Sequence, residues 1–143
     1  MITQNIMSAK QIVITEADFD RLNGLLDSPR YRSTHAASLM TLKDELERGT
    51  VVAAGDVPRG VVTMHSQVRI RDMAAEESET YTLVYPDEAD INEGKLSVLA
   101  PLGIALLGTK VAQFVEFDAP AGPRRLKVDK ILYQPEAAGH FHL

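Results

Sequence analysis

A chain of 143 residues with 45% hydrophobic side chains is long enough for one good core and a small appendage. The formal net charge of −5 argues against broad DNA binding through a basic face, and no apolar run is long enough to span a bilayer. Without cysteine there is no disulfide or thiolate chemistry, and without a secretory signal at the start a cytoplasmic protein is expected.

The N-terminal third predicts a first helix after a short extended run, Ile12 to Ile14. Met1 to Ala9 is small and polar and is expected to fray. Thr15 is placed to cap a helix whose first turn carries acidic residues, and Ser28-Pro29 ends that helix. An apolar stripe at helical spacing runs along it: Phe19, Leu22, Leu25 and Leu26.

A second helix is predicted to begin near Ser33 or Thr34 and to stop at Gly49. Its expected apolar face consists of Ala36, Leu39, Met40, Leu42 and Leu46. Two helices of similar length joined by a short break predict an antiparallel, coiled-coil-like hairpin over residues 1–52. The hairpin either packs beside the rest of the protein or covers the C-terminal sheet. The apolar stripe of the first helix packs either within the chain or against a second copy in a dimer.

A linker is predicted at Ala53 to Gly60, because that stretch is rich in small residues, glycine and proline. The period then changes to that of strands. Apolar residues alternate from Val62 to Ile70 with a break at Ser66, and again from Tyr81 to Tyr85. His65 is expected on an exposed polar face.

The segment Lys95 to Gly108 predicts a buried strand, a turn and a short helix. Leu96 to Leu99 is apolar, Pro101 suits the first helical turn, and Gly108 suits the helix stop. A helical turn that is apolar on nearly every side must be wrapped by other elements. With a final hairpin over Phe114–Phe117 and Arg124–Tyr133, residues 53–143 give about five strands in antiparallel style around one short helix. The fold class expected for the whole chain is therefore α+β.

An acidic lobe lies between Arg71 and Lys95, where the chain has no lysine or arginine. Eight acidic residues fall in that gap: Asp72, Glu76, Glu77, Glu79, Asp87, Glu88, Asp90 and Glu93. The lobe is either a solvated loop or a surface that attracts a basic protein partner.

Catalytic patterns are not found. No local motif joins a serine, histidine and acid, and no glycine-rich phosphate loop occurs, so no enzyme and no cofactor are expected. His140 and His142, near Glu136, could ligate a metal, but no third fixed ligand is evident and no metal site is predicted.

The stretch from Ser97 to Gly108 resembles the C-terminal domain of the Gre family of bacterial transcription factors. The matching positions are Ser97, Val98, Ala100, Pro101, Leu102, Gly103, Ala105, Leu106, Leu107 and Gly108. The strand and acidic loop of Thr82 to Lys95 are also similar to the family, and Leu132 to Gly139 resembles a branch named for regulation of nucleoside diphosphate kinase. The resemblance implies an FKBP-like half-barrel, without prolyl isomerase activity because no cluster of aromatic residues suggests a pocket.

The resemblance also implies a partner, RNA polymerase, gripped at a coiled coil of its β′ subunit on the secondary-channel rim. The polymerase-binding positions carried over are Leu99, Ala100, Pro101 and Leu102, with Asp87, Glu88 and Asp90 in the acidic loop. At the hairpin tip, Asp27, Arg30, Tyr31 and Arg32 stand where cleavage-stimulating members have two acidic residues that help hold Mg²⁺.

A tip with one acid and two arginines, on short arms, predicts a regulator that competes with other channel factors without stimulating transcript cleavage. Nucleic acid would be met only through the polymerase complex, and the effect on nucleoside diphosphate kinase would be indirect. The alternative is an interaction protein that binds that kinase, or another cytoplasmic protein, directly. Neither the oligomeric state nor the responding genes follow from the sequence.

Overall fold

The N-terminal part of the computed structural model, which describes residues 12–141, holds three helices between two short strands. In chain order these are β1 (Val13–Thr15), α1 (Glu16–Leu26), α2 (Pro29–Arg32), α3 (Ala36–Arg48) and β2 (Thr50–Val52). The expectations for Met1 to Ala9 and for His142 fall outside the described residues. The longer helices, α1 and α3, form the predicted hairpin, and the single turn of α2 lies between them.

Local capping signals explain the helix boundaries. The Thr15 hydroxyl accepts a hydrogen bond from the Asp18 backbone N–H at 3.1 Å, as predicted for the start of α1. Pro29 ends that helix but also starts α2, because proline suits a first helical turn. Helix α3 starts at Ala36, a little later than predicted, and stops before Gly49 as predicted.

A parallel pair, β1 with β2, closes the N-terminal part. Val13 pairs with Thr50, and the Thr50 N–H donates to the Ile12 carbonyl at 2.8 Å. Strand β2 was not predicted, because three residues after a helix stop show no measurable alternation. The predicted linker that follows contains a 3₁₀ turn, Ala54–Asp56, and the buried side chain of Val57.

A curled five-stranded sheet forms the C-terminal part, in the order β5-β4-β3-β7-β6. Its strands are β3 (Gln67–Asp72), β4 (Glu77–Val84), β5 (Lys95–Ser97), β6 (Phe114–Ala119) and β7 (Gly122–Tyr133). Pairing is antiparallel, as expected, except that β4 and β5 run parallel. This half-barrel confirms the predicted fold class.

The alternation from Val62 does not form a strand before Gln67. The Thr63 N–H donates to the Ser66 hydroxyl at 2.9 Å, and His65 has a φ of 67°, which turns the backbone out of an extended path. Val62, Thr63 and Met64 are nevertheless buried. The alternation of apolar residues from Val62 therefore predicted the burial of this segment correctly, but the prediction of a strand before Gln67 was wrong.

Helix α4 (Pro101–Leu106) sits where the sequence predicted it, wrapped by the sheet. A β-carbon on Gly103 would collide with the Ser97 carbonyl oxygen and come within 3.0 Å of the Val98 Cα, so only glycine lets the helix approach this closely. Gly108, with a φ of 76°, ends the segment after Leu107. A β-carbon on Gly108 would collide with the Ile12 side chain.

One hydrophobic core joins the two parts of the chain. Leu22, Leu39, Leu42 and Leu46 of the helices belong to the same buried cluster as the sheet residues. The helices therefore cover the C-terminal part, and Phe19, Leu25 and Leu26 are partly buried against the chain's own core. Met40 is 70% exposed and Ala36 is also exposed, so the predicted apolar face of α3 was wrong at both positions.

The segment after β7 fastens the connection between the two parts. The buried Gln134 side chain donates to the carbonyls of Pro58 and Val61, at 2.8 and 2.7 Å. The Thr63 hydroxyl donates to Glu136 at 2.7 Å. Among residues 12–141, no helix is long and apolar enough to cross a membrane.

Candidate functional site

The loop before α4 presents two of its four predicted contact positions to solvent. Pro101 is exposed and Ala100 is half-buried, whereas Leu99 is 1% and Leu102 is 7% exposed. The Leu99 N–H donates to the Ser97 hydroxyl at 3.0 Å. The side chains of Leu99 and Leu102 therefore belong to the core of the free chain, and a contact of these two positions with a partner stays a prediction.

The acidic loop is built from two 3₁₀ turns, Pro86–Glu88 and Ile91–Glu93. The Asp90 carboxylate caps the second turn by accepting from the Asn92 N–H at 3.1 Å. Asp87, Glu88 and Asp90 are all exposed, so this loop offers carboxylates to solvent at the end of β4.

The tip of the hairpin is folded against the body of the protein. Tyr31 packs on the hydrophobic core, and the Arg30 guanidinium lies 5.4 Å from the Tyr31 ring centroid. Arg32 and Asp27 are 3.9 Å apart and both exposed, so this pair adds little stability.

A groove of about 600 Å³ brings the tip and the acidic loop together. Four predicted residues line it: Arg30 and Tyr31 from the tip, and Asp87 and Glu88 from the loop. Its other lining residues are Arg21, Leu25, Ser28, His65 and Tyr85. The remaining predicted site residues are not among the lining residues: Asp27, Arg32, Asp90, Leu99, Ala100, Pro101 and Leu102.

A buried acid beneath this groove was missed by the sequence analysis. Asp18 is 1% exposed, and its carboxylate accepts from the Met64 N–H at 3.2 Å and from the Tyr85 hydroxyl at 3.4 Å. Burial raises the pKa of Asp18 to about 6, and the pKa of Tyr85 is raised by burial and by Asp18. The sequence placed Asp18 only in a first helical turn and carried no signal of this contact.

His65 also lies in the groove, and the expectation of an exposed histidine was wrong. Its side chain is 15% exposed, and Nε2 donates to Glu88 at 2.9 Å. The ring meets Tyr85 edge to face at 5.6 Å, and within the described chain the buried Nδ1 has no hydrogen-bond partner. The residue's positive φ places the ring under the groove rather than on a strand face.

Possible metal ligands do not converge in the part of the chain that the structure describes. No group of three histidine, aspartate or glutamate side chains could hold an ion among residues 12–141. His140 Nδ1 lies 2.6 Å from the Tyr133 hydroxyl, and Glu136 accepts from Thr63.

The half-barrel, its central Pro101 helix and its acidic loop are those of a Gre-type transcription factor. Residues 57–133 match the family described as transcription elongation factor GreA/GreB, C-terminal. The chain therefore belongs to the GreA/GreB family of transcription elongation factors.

The N-terminal part narrows the relationship within that family. Residues 10–52 match the family described as the Rnk N-terminus. The regulator of nucleoside diphosphate kinase from Escherichia coli strain K12 is 38% identical over 138 residues, covering 96% of this chain and all of that protein.

Two further comparisons agree with this placement. A prokaryotic transcription elongation factor GreA/GreB from Nitrosomonas europaea has a solved structure with a TM-score of 0.72 and 35% identity, covering 87% of this chain and 99% of that one. GreA from Hyphomonas neptunium is 37% identical over 65% of this chain and 59% of its own length. These relatives are named regulators or elongation factors, which makes a transcription-factor-like regulator the class of this protein.

Proposed function

We propose that the chain binds RNA polymerase at the secondary-channel rim and competes there with other channel factors. The observation that best supports this proposal is the exposure of Pro101 in a domain of the GreA/GreB family. The buried side chains of Leu99 and Leu102 hold Pro101 at the surface. The acidic loop supplies carboxylates for a basic partner surface, which we assign to the coiled coil of the β′ subunit.

The same proposal assigns no transcript-cleavage activity to the protein. Cleavage would need tip carboxylates that help hold Mg²⁺, but Asp27 faces Arg32 and the neighbouring Arg30 is cationic. Helices α1 and α3 have 11 and 13 residues, so each arm spans only roughly 16–20 Å. The protein would then act in the cytoplasm as a binding factor without catalysis, and nucleoside diphosphate kinase would respond through transcription.

A pull-down of core RNA polymerase tests the proposal. The baits are the wild type, Pro101→Asp, and Pro120→Asp as a matched control in the turn between β6 and β7. Both positions are exposed, and Pro120 lies outside α4 and outside the acidic loop. Aspartate is favourable in a first helical turn, so Pro101→Asp is expected to fold, which circular dichroism checks.

We expect the wild type and Pro120→Asp to retain polymerase and Pro101→Asp to lose it. Equal retention by all three proteins would move the contact away from α4. A wild type that retains no core polymerase would end this proposal, and purified nucleoside diphosphate kinase would then be tested on the same bait as the direct partner.

A further inference from the structure

The groove between the tip and the acidic loop has features that polymerase docking through Pro101 does not use. Arg21 and Arg30 form one wall and Asp87 and Glu88 the other, with His65, Tyr31 and Tyr85 as ring-bearing residues of the lining. We propose that this groove binds a free nucleotide.

The cationic wall is available to an anion. Among the described residues, neither Arg21 nor Arg30 forms a close ion pair with a carboxylate. Arg21 is near enough to Asp18 and Tyr85 to favour the charged forms of both, and both arginines also lie over tyrosine rings. The Arg21 guanidinium is 6.0 Å from the Tyr85 centroid, and that of Arg30 is 5.4 Å from the Tyr31 centroid. Guanidinium groups bind phosphate oxygens by charge-assisted hydrogen bonds, so a phosphate is the anion that this wall suits.

The opposite wall offers acceptors for a ligand's neutral donors. Asp87 is exposed, whereas one Glu88 oxygen already accepts from His65 Nε2 and from the Tyr85 N–H, at 2.9 and 3.3 Å. Carboxylates repel phosphate but accept from ribose hydroxyls and base amino groups. A ligand with phosphate at one end and such donors at the other therefore fits both walls.

His65 contributes a mostly buried ring to the groove. Its φ of 67° belongs to the turn from Thr63 to Ser66, in which the Ser66 N–H donates to the Thr63 carbonyl at 3.0 Å. The Nδ1 atom of the same ring is buried and has no hydrogen-bond partner in the described chain, whereas Nε2 is held by Glu88.

Size and net charge favour one nucleotide over a polynucleotide. The groove has a volume of about 600 Å³ and is open to solvent, so it has room for one nucleotide lying along its surface. The chain's net charge of −5 opposes the many phosphates of an extended nucleic acid, while two arginines suffice for one phosphate group.

The test is an NMR titration of the full-length protein with nucleoside mono-, di- and triphosphates, with separate arms for inorganic phosphate and for a short single-stranded RNA. The variants are Arg30→Gln and, as a matched control, Arg125→Gln. Arg125 is an exposed arginine that stacks on Phe114, 4.1 Å from its ring centroid, on another part of the sheet. The amide spectrum of each variant also reports whether it is folded.

We expect saturable amide shifts at Arg21, Tyr31, His65 and Glu88 on adding a nucleotide. Arg30→Gln should weaken binding roughly tenfold or more, as expected for the loss of one charge-assisted hydrogen bond, and Arg125→Gln should not. Absence of groove shifts at millimolar nucleotide, or equal affinity in Arg30→Gln, would overturn the proposal. So would inorganic phosphate binding as tightly as any nucleotide, or binding of the RNA alone. None of these outcomes bears on the polymerase pull-down.

Discussion

Asp18 in α1 accepts a hydrogen bond from the backbone N–H of Met64, 46 residues further along the chain, at 3.2 Å. The contact fixes the first helix to the loop that leads into β3, and the Tyr85 hydroxyl meets the same carboxylate. Burial raises the pKa of the Asp18 carboxyl to about 6, although the hydrogen bond from the Met64 N–H favours its charged form.

The raised pKa of Asp18 predicts that the fold gains stability as the pH is lowered from 7 towards 5. Since the folded pKa of about 6 exceeds the ordinary value of 3.8, the folded protein binds this proton more tightly than the unfolded chain does. The free energy of unfolding should therefore rise by about 1–3 kcal/mol through this group as the pH falls from 7 to 4.

Urea unfolding of the wild type and of Asp18→Asn at pH 7 and pH 5 measures this contribution. The Asn variant has no proton to bind there and should lack this part of the pH dependence. Asp20→Asn, an exposed acid of the same helix, is the control and should behave as the wild type does. Identical pH dependence in wild type and Asp18→Asn would show that Asp18 does not titrate in this window.

Two glycine-to-alanine changes in helices should have opposite effects on stability. Gly103→Ala should destabilise by about 2 kcal/mol or more, because the new methyl group collides with the Ser97 carbonyl. Gly24→Ala has open space around it and should stabilise α1 by about 0.5–1 kcal/mol. Thermal unfolding of both variants checks the pair, and a Gly103→Ala protein as stable as the wild type would contradict the close approach of α4 to Ser97.

Gln134 should contribute far more to stability than its surface counterpart Gln113. Gln134→Ala removes the side chain that donates to both Pro58 and Val61, and should cost about 2–3 kcal/mol because a buried carbonyl loses its partner. Gln113→Ala removes one exposed hydrogen bond, to the Lys110 N–H, and should cost about 1 kcal/mol or less. Chemical denaturation measures the free energy of unfolding of the two variants. A larger loss for Gln134→Ala would show that the segment after β7 stabilises the connection between the two parts of the chain.

Restoring acids at the tip should not create transcript cleavage. The double variant Arg30→Asp, Arg32→Asp supplies carboxylates beside Asp27, but Tyr31 still packs the tip onto the core and the arms remain short. Backtracked polymerase with this variant should cleave RNA no faster than polymerase alone, with a cleavage-competent Gre factor as positive control. Faster cleavage would mean that tip charge alone, rather than reach, limits this activity.

The fold was largely predictable where short-range signals specify it. The Thr15 cap, the Pro101 start and the Gly108 stop each depend on residues within one or two helical turns, and all three were predicted correctly. The period-2 pattern around His65 failed because Thr63 and Ser66 bond to each other across it, a local alternative to the strand that alternation does not reveal.

The candidate site was predictable only in pieces. Arg30 and Tyr31 drew attention as a cationic tip, and Asp87 and Glu88 as an acidic loop, but nothing in the sequence shows that they line one groove. Arg21 and Tyr85 were not predicted as site residues, because only the folded chain brings them beside Arg30 and Glu88 in the groove. Asp18 was interpreted as an ordinary acidic residue of a first helical turn. The helical pattern around it does not indicate that the distant loop containing Met64 buries its side chain.

The contact between Ile12 and Gly108 bears on how such proteins can be recombined. The two segments match separate sequence families, yet a side chain of the first fills a notch that the second keeps open only by lacking a β-carbon. The N-terminal and C-terminal parts are therefore not independent units joined by a flexible linker. A chimaera that joins this N-terminal part to another C-terminal part must therefore keep a glycine opposite Ile12 or change both positions together.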